Sequence, residues 1–183
     1  KKEALFKWRK RVGEKEANKI STQASRRGAK VHKLCENYLN NELSFDEYTP
    51  DNVVMFKTIQ PILDEIELVY GQERALFSNH LKTAGRVDCI GKFRGKNHII
   101  DFKTSRKPKK EEWIEDYYIQ AFFYSMAFFE MTGAMPEQIV ILIAVRNSFE
   151  VQVFKKSMSE VDYYIDKLIN IMKKEPQIVH QIT

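Results

Sequence analysis

The chain has 183 residues, 43% of them hydrophobic and 12% aromatic, enough to bury the core of one domain. Its net charge of +5 and sequence pI of 9.1 are compatible with a polyanionic partner, and no run approaches the ~20 apolar residues of a membrane span. Two separated cysteines, Cys35 and Cys89, exclude a disulfide framework and a four-cysteine iron–sulfur cluster within this chain, and fit a reducing, intracellular compartment.

Residues 1–20 are charged, with Lys1, Lys2, Lys7, Arg9, Lys10 and Arg11 crowding the start. They lack the apolar core of a signal peptide and read as a basic extension of a domain spanning the whole chain, 1–183. A helix is predicted from Ser21 to Asn41, capped by Ser21 or Thr22. It places Gly28, Val31, His32, Cys35, Tyr38 and Leu39 on one face. A histidine on such a face is more often a satisfied core residue than a ligand. A second helix is predicted from Asp51, as its cap, to Tyr70, stopped by Gly71 and kinked at Pro61. Glu73 to His80 then reads as the first strand, with Glu73 an exposed edge residue on the plain reading.

Gly85 to Ser105 reads as two strands joined by a turn at Arg94-Gly95-Lys96. Period two puts Asp88 on a face with Arg86 and Ile90, and Asp101 on a face with Ile99 and Lys103. A hairpin with surface charges accounts for Lys92, Arg94 and Lys96. It accounts poorly for Asp101, which interrupts an apolar run. Two carboxylates and an amine in mid-sheet are costly unless they pair with each other or bind something. A hard cation such as Mg²⁺ or Mn²⁺ suits oxygen ligands, and a lysine beside it can steady charge on a phosphoryl group. Carboxylates that pair only with lysine and arginine are the rival reading, in which the protein is an interaction module without metal.

Arg106, Lys107, Lys109 and Lys110 follow directly, where a phosphate backbone would pass. A helix from Glu111 to Met131 is aromatic on most sides and therefore buried. Gln120 and Tyr124 share one of its faces, and buried, they need hydrogen-bond partners. Gln138–Val145 suits a strand buried on both faces, and Phe149–Phe154 an alternating edge strand. Ser157 with Glu160 reads as a capping box for a last helix to Lys173. The tail beyond Pro176 has no assignment. This order predicts an α/β fold, a mixed central sheet flanked by helices.

Asp88 followed by Asp101-Phe102-Lys103 resembles the PD-(D/E)XK nuclease superfamily. Gly28…His32 and Gln120-x-x-x-Tyr124 are similar to further motifs of its RecB-type exonuclease branch, which includes phage and mitochondrial enzymes. The resemblance implies a restriction-endonuclease-like αβββαβ core and a Mg²⁺- or Mn²⁺-dependent deoxyribonuclease favouring single strands or free ends, in repair, recombination or replication. It implies Asp88, Asp101 and Lys103 as catalytic residues, with His32, Asp88, Asp101 and the Phe102 carbonyl as metal ligands and Glu73 as an accessory acid. Gln120, Tyr124, Arg106, Lys107, Lys109 and Lys110 would contact DNA. The same fold also serves as a non-catalytic DNA-binding subunit of larger complexes, so a protein partner is a second expectation. Of the settings the resemblance implies, a bacterial or phage-infected cytoplasm is favoured, with a mitochondrion the alternative if a targeting segment has been removed.

Overall fold

A computed structural model describes residues 2–174; Lys1 and the tail beyond Pro176 lie outside them. Helices α1 (Lys2–Val12) and α2 (Glu14–Leu39) are separated at Gly13, whose φ of 85° suits glycine. The helix expected from Ser21 therefore starts earlier, and residue 20 falls inside α2 rather than at the end of an extension. Helix α3 (Pro50–Leu63) is capped by Thr49, not Asp51. The Thr49 side chain accepts from the Asn52 N–H, and Pro50 stands at the first turn, where no donor is needed. Asp51 is instead engaged by Arg146 at 2.7 Å and Arg27 at 3.9 Å.

Strand β1 (Ile66–Ser78) begins seven residues before the expected Glu73. Ile66, Leu68 and Val69 are strand residues because their backbone pairs with Phe93, Lys92 and Gly91 of the following strand, with Glu65–Arg94 and Glu67–Lys92 ion pairs at the exposed edge. That tertiary pairing outweighs the helical stripe seen in the sequence. Pro61 sits within the last turn of α3 and does not divide it. Strands β2 (Thr83–Phe93) and β3 (Lys96–Ser105) form the expected hairpin, with left-handed φ at Arg94 and Gly95.

After a short 3-10 turn, α4 (Glu115–Thr132) ends on Gly133 in the left-handed region. It returns the chain to β4 (Gln138–Val145), which lies parallel to β3; every other neighbour is antiparallel. Strand β5 (Glu150–Ser157) and α5 (Val161–Lys174) complete the described chain. Ser157 accepts from the Ser159 N–H, so the expected box with Glu160 is replaced by a shorter cap.

The sheet order is β1-β2-β3-β4-β5, mixed and covered by helices on both faces. Ile139, Ile141 and Ile143 of β4 pack with Phe122 and Phe123 of α4 and Leu168 of α5. Val140, Leu142 and Ala144 face Val31 and Leu34 of α2 and Phe56 of α3. Each large apolar side chain so buried contributes about 1.5–3 kcal/mol. Among the described residues no helix is long and apolar enough to cross a membrane.

Candidate active site

The β1–β2 register pairs Gln72 with Cys89 and Arg74 with Val87, so Glu73 stands opposite Asp88. The β2–β3 ladder stops at Cys89–Ile100; continuing that register by one step sets Asp88 opposite Asp101, whose charge it feels. Three carboxylates thus cross three neighbouring strands at one level. Where the ladder stops, the Phe102 N–H donates to Asp88 Oδ2 at 2.7 Å, so the side chain takes over from a missing backbone partner. Strict alternation also breaks there. Val87 and Ile90 both join the core beneath α4, while Cys89 joins the other. Asp88 therefore does not simply share a face with Ile90, and it turns toward α2.

Helix α2 brings His32 to this gap. Its Nε2 lies 3.5 Å from Asp88 Oδ2 and contacts the Phe102 carbonyl oxygen. The position depends on close approach at Gly28, where a Cβ would stand 3.3 Å from Thr104 Oγ1. His32, Glu73 and Asp88 offer ligand atoms that all lie within 4.8 Å of one another. Glu73 is thus placed with the histidine, and not as an isolated edge residue. Arg86 lies 3.7 Å from it.

Asp101 is buried, at 2% exposure. Its Oδ1 accepts from Lys103 Nζ at 2.6 Å, whereas Oδ2 is buried without a hydrogen-bond partner. Such an orphaned oxygen costs free energy unless a donor or cation meets it. Two of the three residues in the His32, Glu73 and Asp88 group, the two acids, offer hard carboxylate oxygens, which suit a hard divalent cation over softer metals; Asp101 stands outside the group and reaches it through its charge on Asp88. Burial and the neighbouring Asp101 charge push the Asp88 carboxyl up to about 7, against the opposing pull of His32 and Lys103. Burial disfavours the Lys103 ammonium, but Asp101 and Asp88 outweigh it and raise its pKa, so the side chain is cationic.

From the α4 side, Gln120 Oε1 accepts from Lys103 Nζ at 3.2 Å and its Nε2 donates to the Tyr124 hydroxyl at 3.0 Å. Tyr124 is 2% exposed within the α4 core. Its ring is closed off, so a direct contact with nucleic acid is corrected to an indirect one: it holds Gln120, which holds Lys103. Sequence reasoning missed two supports of this arrangement. One is the Tyr117 ring, 5.3 Å from Lys103 Nζ. The other is Gly85, where a Cβ would lie 2.7 Å from Tyr124 Cε1. Gly85→Ala is expected to cost about 1–3 kcal/mol and to displace the Tyr124–Gln120–Lys103 chain. Thermal melting and the rate of any Lys103-dependent reaction would both report it.

Arg106, Lys107 and Lys110 are exposed and Lys109 half-buried. Their loop is pinned rather than loose. The Arg146 N–H donates to Ser105 O and the Asn147 N–H to Arg106 O, and Lys109 exchanges two hydrogen bonds with Gln152.

Glu73 adopts a φ of 50°, a left-handed conformation that costs a non-glycine residue roughly 1 kcal/mol or more. The bend accompanies register shifts earlier in β1 and turns the carboxylate toward His32. Glu73→Gly is expected to stabilise the metal-free protein by about 1 kcal/mol while weakening divalent-metal affinity roughly tenfold. Melting without metal and a metal titration would separate the two effects; a variant destabilised without metal would show that the bend is not strained.

Comparison with known proteins agrees with this architecture. The family model described as the PD-(D/E)XK nuclease superfamily matches residues 7–177. The mitochondrial genome maintenance exonuclease 1 of Mus musculus is 34% identical over 111 residues, covering 57% of this chain and 32% of that protein. The Homo sapiens protein of the same name is 28% identical over 112 residues with the same coverage. The match thus spans about a third of the length of these curated relatives. The solved structure of a candidate exonuclease from Eubacterium rectale superposes with a TM-score of 0.52 at 12% identity, covering 86% of this chain and 69% of that one; at that identity the likeness is one of fold.

Proposed function

Because this chain belongs to the PD-(D/E)XK nuclease superfamily, we propose that it is a divalent-metal-dependent nuclease that hydrolyses phosphodiester bonds of DNA, as an exonuclease of the RecB-type branch. The observation that carries this reading is the buried, unpartnered Asp101 Oδ2 beside Lys103, level with Asp88 and Glu73. The rival in which these carboxylates pair only with basic side chains leaves that oxygen unexplained.

Asp88, Asp101, His32 and the Phe102 carbonyl would hold the ion, with Glu73 assisting. When bound, Mg²⁺ or Mn²⁺ would polarise the phosphoryl group and make water a better nucleophile at neutral pH. Lys103, fixed by Asp101 and Gln120, orients the attacking water and offsets charge on the pentavalent phosphate. Gln120 sets the lysine's position, and Tyr124 sets that of Gln120. Arg106, Lys107, Lys109 and Lys110 bind flanking phosphates, so affinity falls as salt rises. The names of the mammalian relatives favour action on DNA ends during genome maintenance.

The test is degradation of end-labelled single-stranded and duplex DNA with Mg²⁺, Mn²⁺ or EDTA. Metal-dependent release of label supports the reading and gives polarity. DNA that is bound but intact with every metal would leave a non-catalytic DNA-binding subunit.

A further inference from the structure

Trp113 lies just beyond the basic loop, in the 3-10 turn Glu111–Trp113 that leads into α4. Its side chain is 47% exposed, although aromatic residues elsewhere in this segment, such as Tyr118, Phe122 and Phe123, are buried. A single exposed aromatic is ordinary; its surroundings distinguish this one. Lys110 Nζ sits 5.5 Å from the ring centroid. One helical turn onward, Tyr117 lies against Lys103. The turn is rigidly continuous with α4: the Trp113 N–H donates to Lys110 O, and the Tyr117 N–H to Ile114 O. Of the nearby acids, Glu111 and Glu115 are engaged by Lys156 and Lys167, while Glu112 is exposed. By contrast, no ion pair joins Arg106, Lys107, Lys109 or Lys110 to a carboxylate among the described residues. A half-exposed indole with Lys110 at its face, cations without carboxylate partners just before it in the chain, and a fixed backbone therefore lie one helical turn from the residue that contacts Lys103.

We propose that Trp113 is a base-stacking residue for an unpaired nucleotide entering the site, with Arg106, Lys107 and Lys110 on the adjoining phosphates. The inference rests on the nuclease reading above and assigns a residue of this chain, Trp113, to holding the unpaired base. A base in a duplex is already stacked on both faces, whereas an unpaired base gains contact on an aromatic side chain whatever its identity.

The chain has two tryptophans, so Trp8→Phe leaves Trp113 as the sole indole reporter. In EDTA, a single-stranded oligothymidine should quench its fluorescence, and an abasic oligonucleotide of equal length should not. Trp113→Ala should weaken oligothymidine binding roughly 5–50-fold, leave abasic binding within twofold, and be partly rescued by Trp113→Phe. With Mg²⁺, the same substitution should raise KM for the oligothymidine while leaving hydrolysis of the abasic oligonucleotide of equal length within twofold. Equal weakening on thymidine and abasic strands, or absent quenching, would overturn the stacking role. Quenching and selective weakening without cleavage under any metal would keep the stacking role and sink the nuclease reading instead.

Discussion

Lys103→Ala is expected to slow DNA hydrolysis about 10²–10³-fold, the usual cost of removing one positioned charge from a phosphoryl-transfer site. The geometry explains why surface cations cannot substitute. Lys103 Nζ is held by Asp101 Oδ1 at 2.6 Å and Gln120 Oε1 at 3.2 Å, in a partly buried setting where its charge is poorly screened. Removing it also leaves both oxygens of the buried Asp101 unpartnered. The metal-free variant should therefore lose roughly 1–3 kcal/mol, and added Mg²⁺ should restore part of that loss. Lys103→Met keeps the chain packed against Tyr117 and separates charge from packing. Retained DNA affinity with lost turnover in both variants supports the catalytic role; near-normal turnover in Lys103→Met would remove it.

Asp88→Asn is expected to abolish turnover yet raise the melting temperature of the metal-free protein at pH 8. In the folded chain the Asp88 carboxyl is raised, by burial first and by Asp101 second, from the usual value of 3.8 to about 7. Between those values the folded state holds a proton that the unfolded state has released, so folding stability declines as pH rises through that window. Below it the stabilisation is fully present, and above about pH 7 it is gone. The amide is neutral at every pH and its oxygen can still accept from the Phe102 N–H. A gain of roughly 1–3 kcal/mol follows, or several degrees at about 2–4 °C per kcal/mol for a chain of this size. A divalent ion competes with the same proton, so Mg²⁺ should raise the wild-type melting temperature more at pH 8 than at pH 5.5, and should do little for Asp88→Asn. Melting curves at both pH values, with Mg²⁺ and with EDTA, check all of this. A wild-type protein equally stable at both pH values without metal would contradict the assigned burial of Asp88.

Some of the site could be read from the chain alone. Asp101 stands out because it breaks an apolar run, and Lys103 follows at the spacing that puts both on one face of a strand. The placement of Glu73 was less legible. It depends on register across β1–β2 and on a left-handed bend, and neither leaves a pattern in a single strand's sequence. Tyr124 was legible as a partner of Gln120 through helical spacing, but not as a closed-off one, since that depends on the approach of Gly85 from β2. The α3–β1 boundary was misplaced for a similar reason. Ile62, Ile66 and Val69 fit a helical stripe, and the strand is favoured by backbone pairing of residues 66–69 with β2, a partner more than twenty residues along the chain.

By itself, then, the sequence determined the element types, the mixed sheet with helices on both faces, and the identity of the Asp88–Asp101–Lys103 group. These follow from local periodicity and from the cost of burying charge, which act within a few residues. The tertiary structure alone decided that Glu73, Asp88 and Asp101 stand at one level across three strands, that His32 meets Asp88 from α2, and that Asp101 retains an unpartnered oxygen. Those are relations between segments far apart in the chain, set by strand register and by the close approach of helices to the sheet at Gly28 and Gly85.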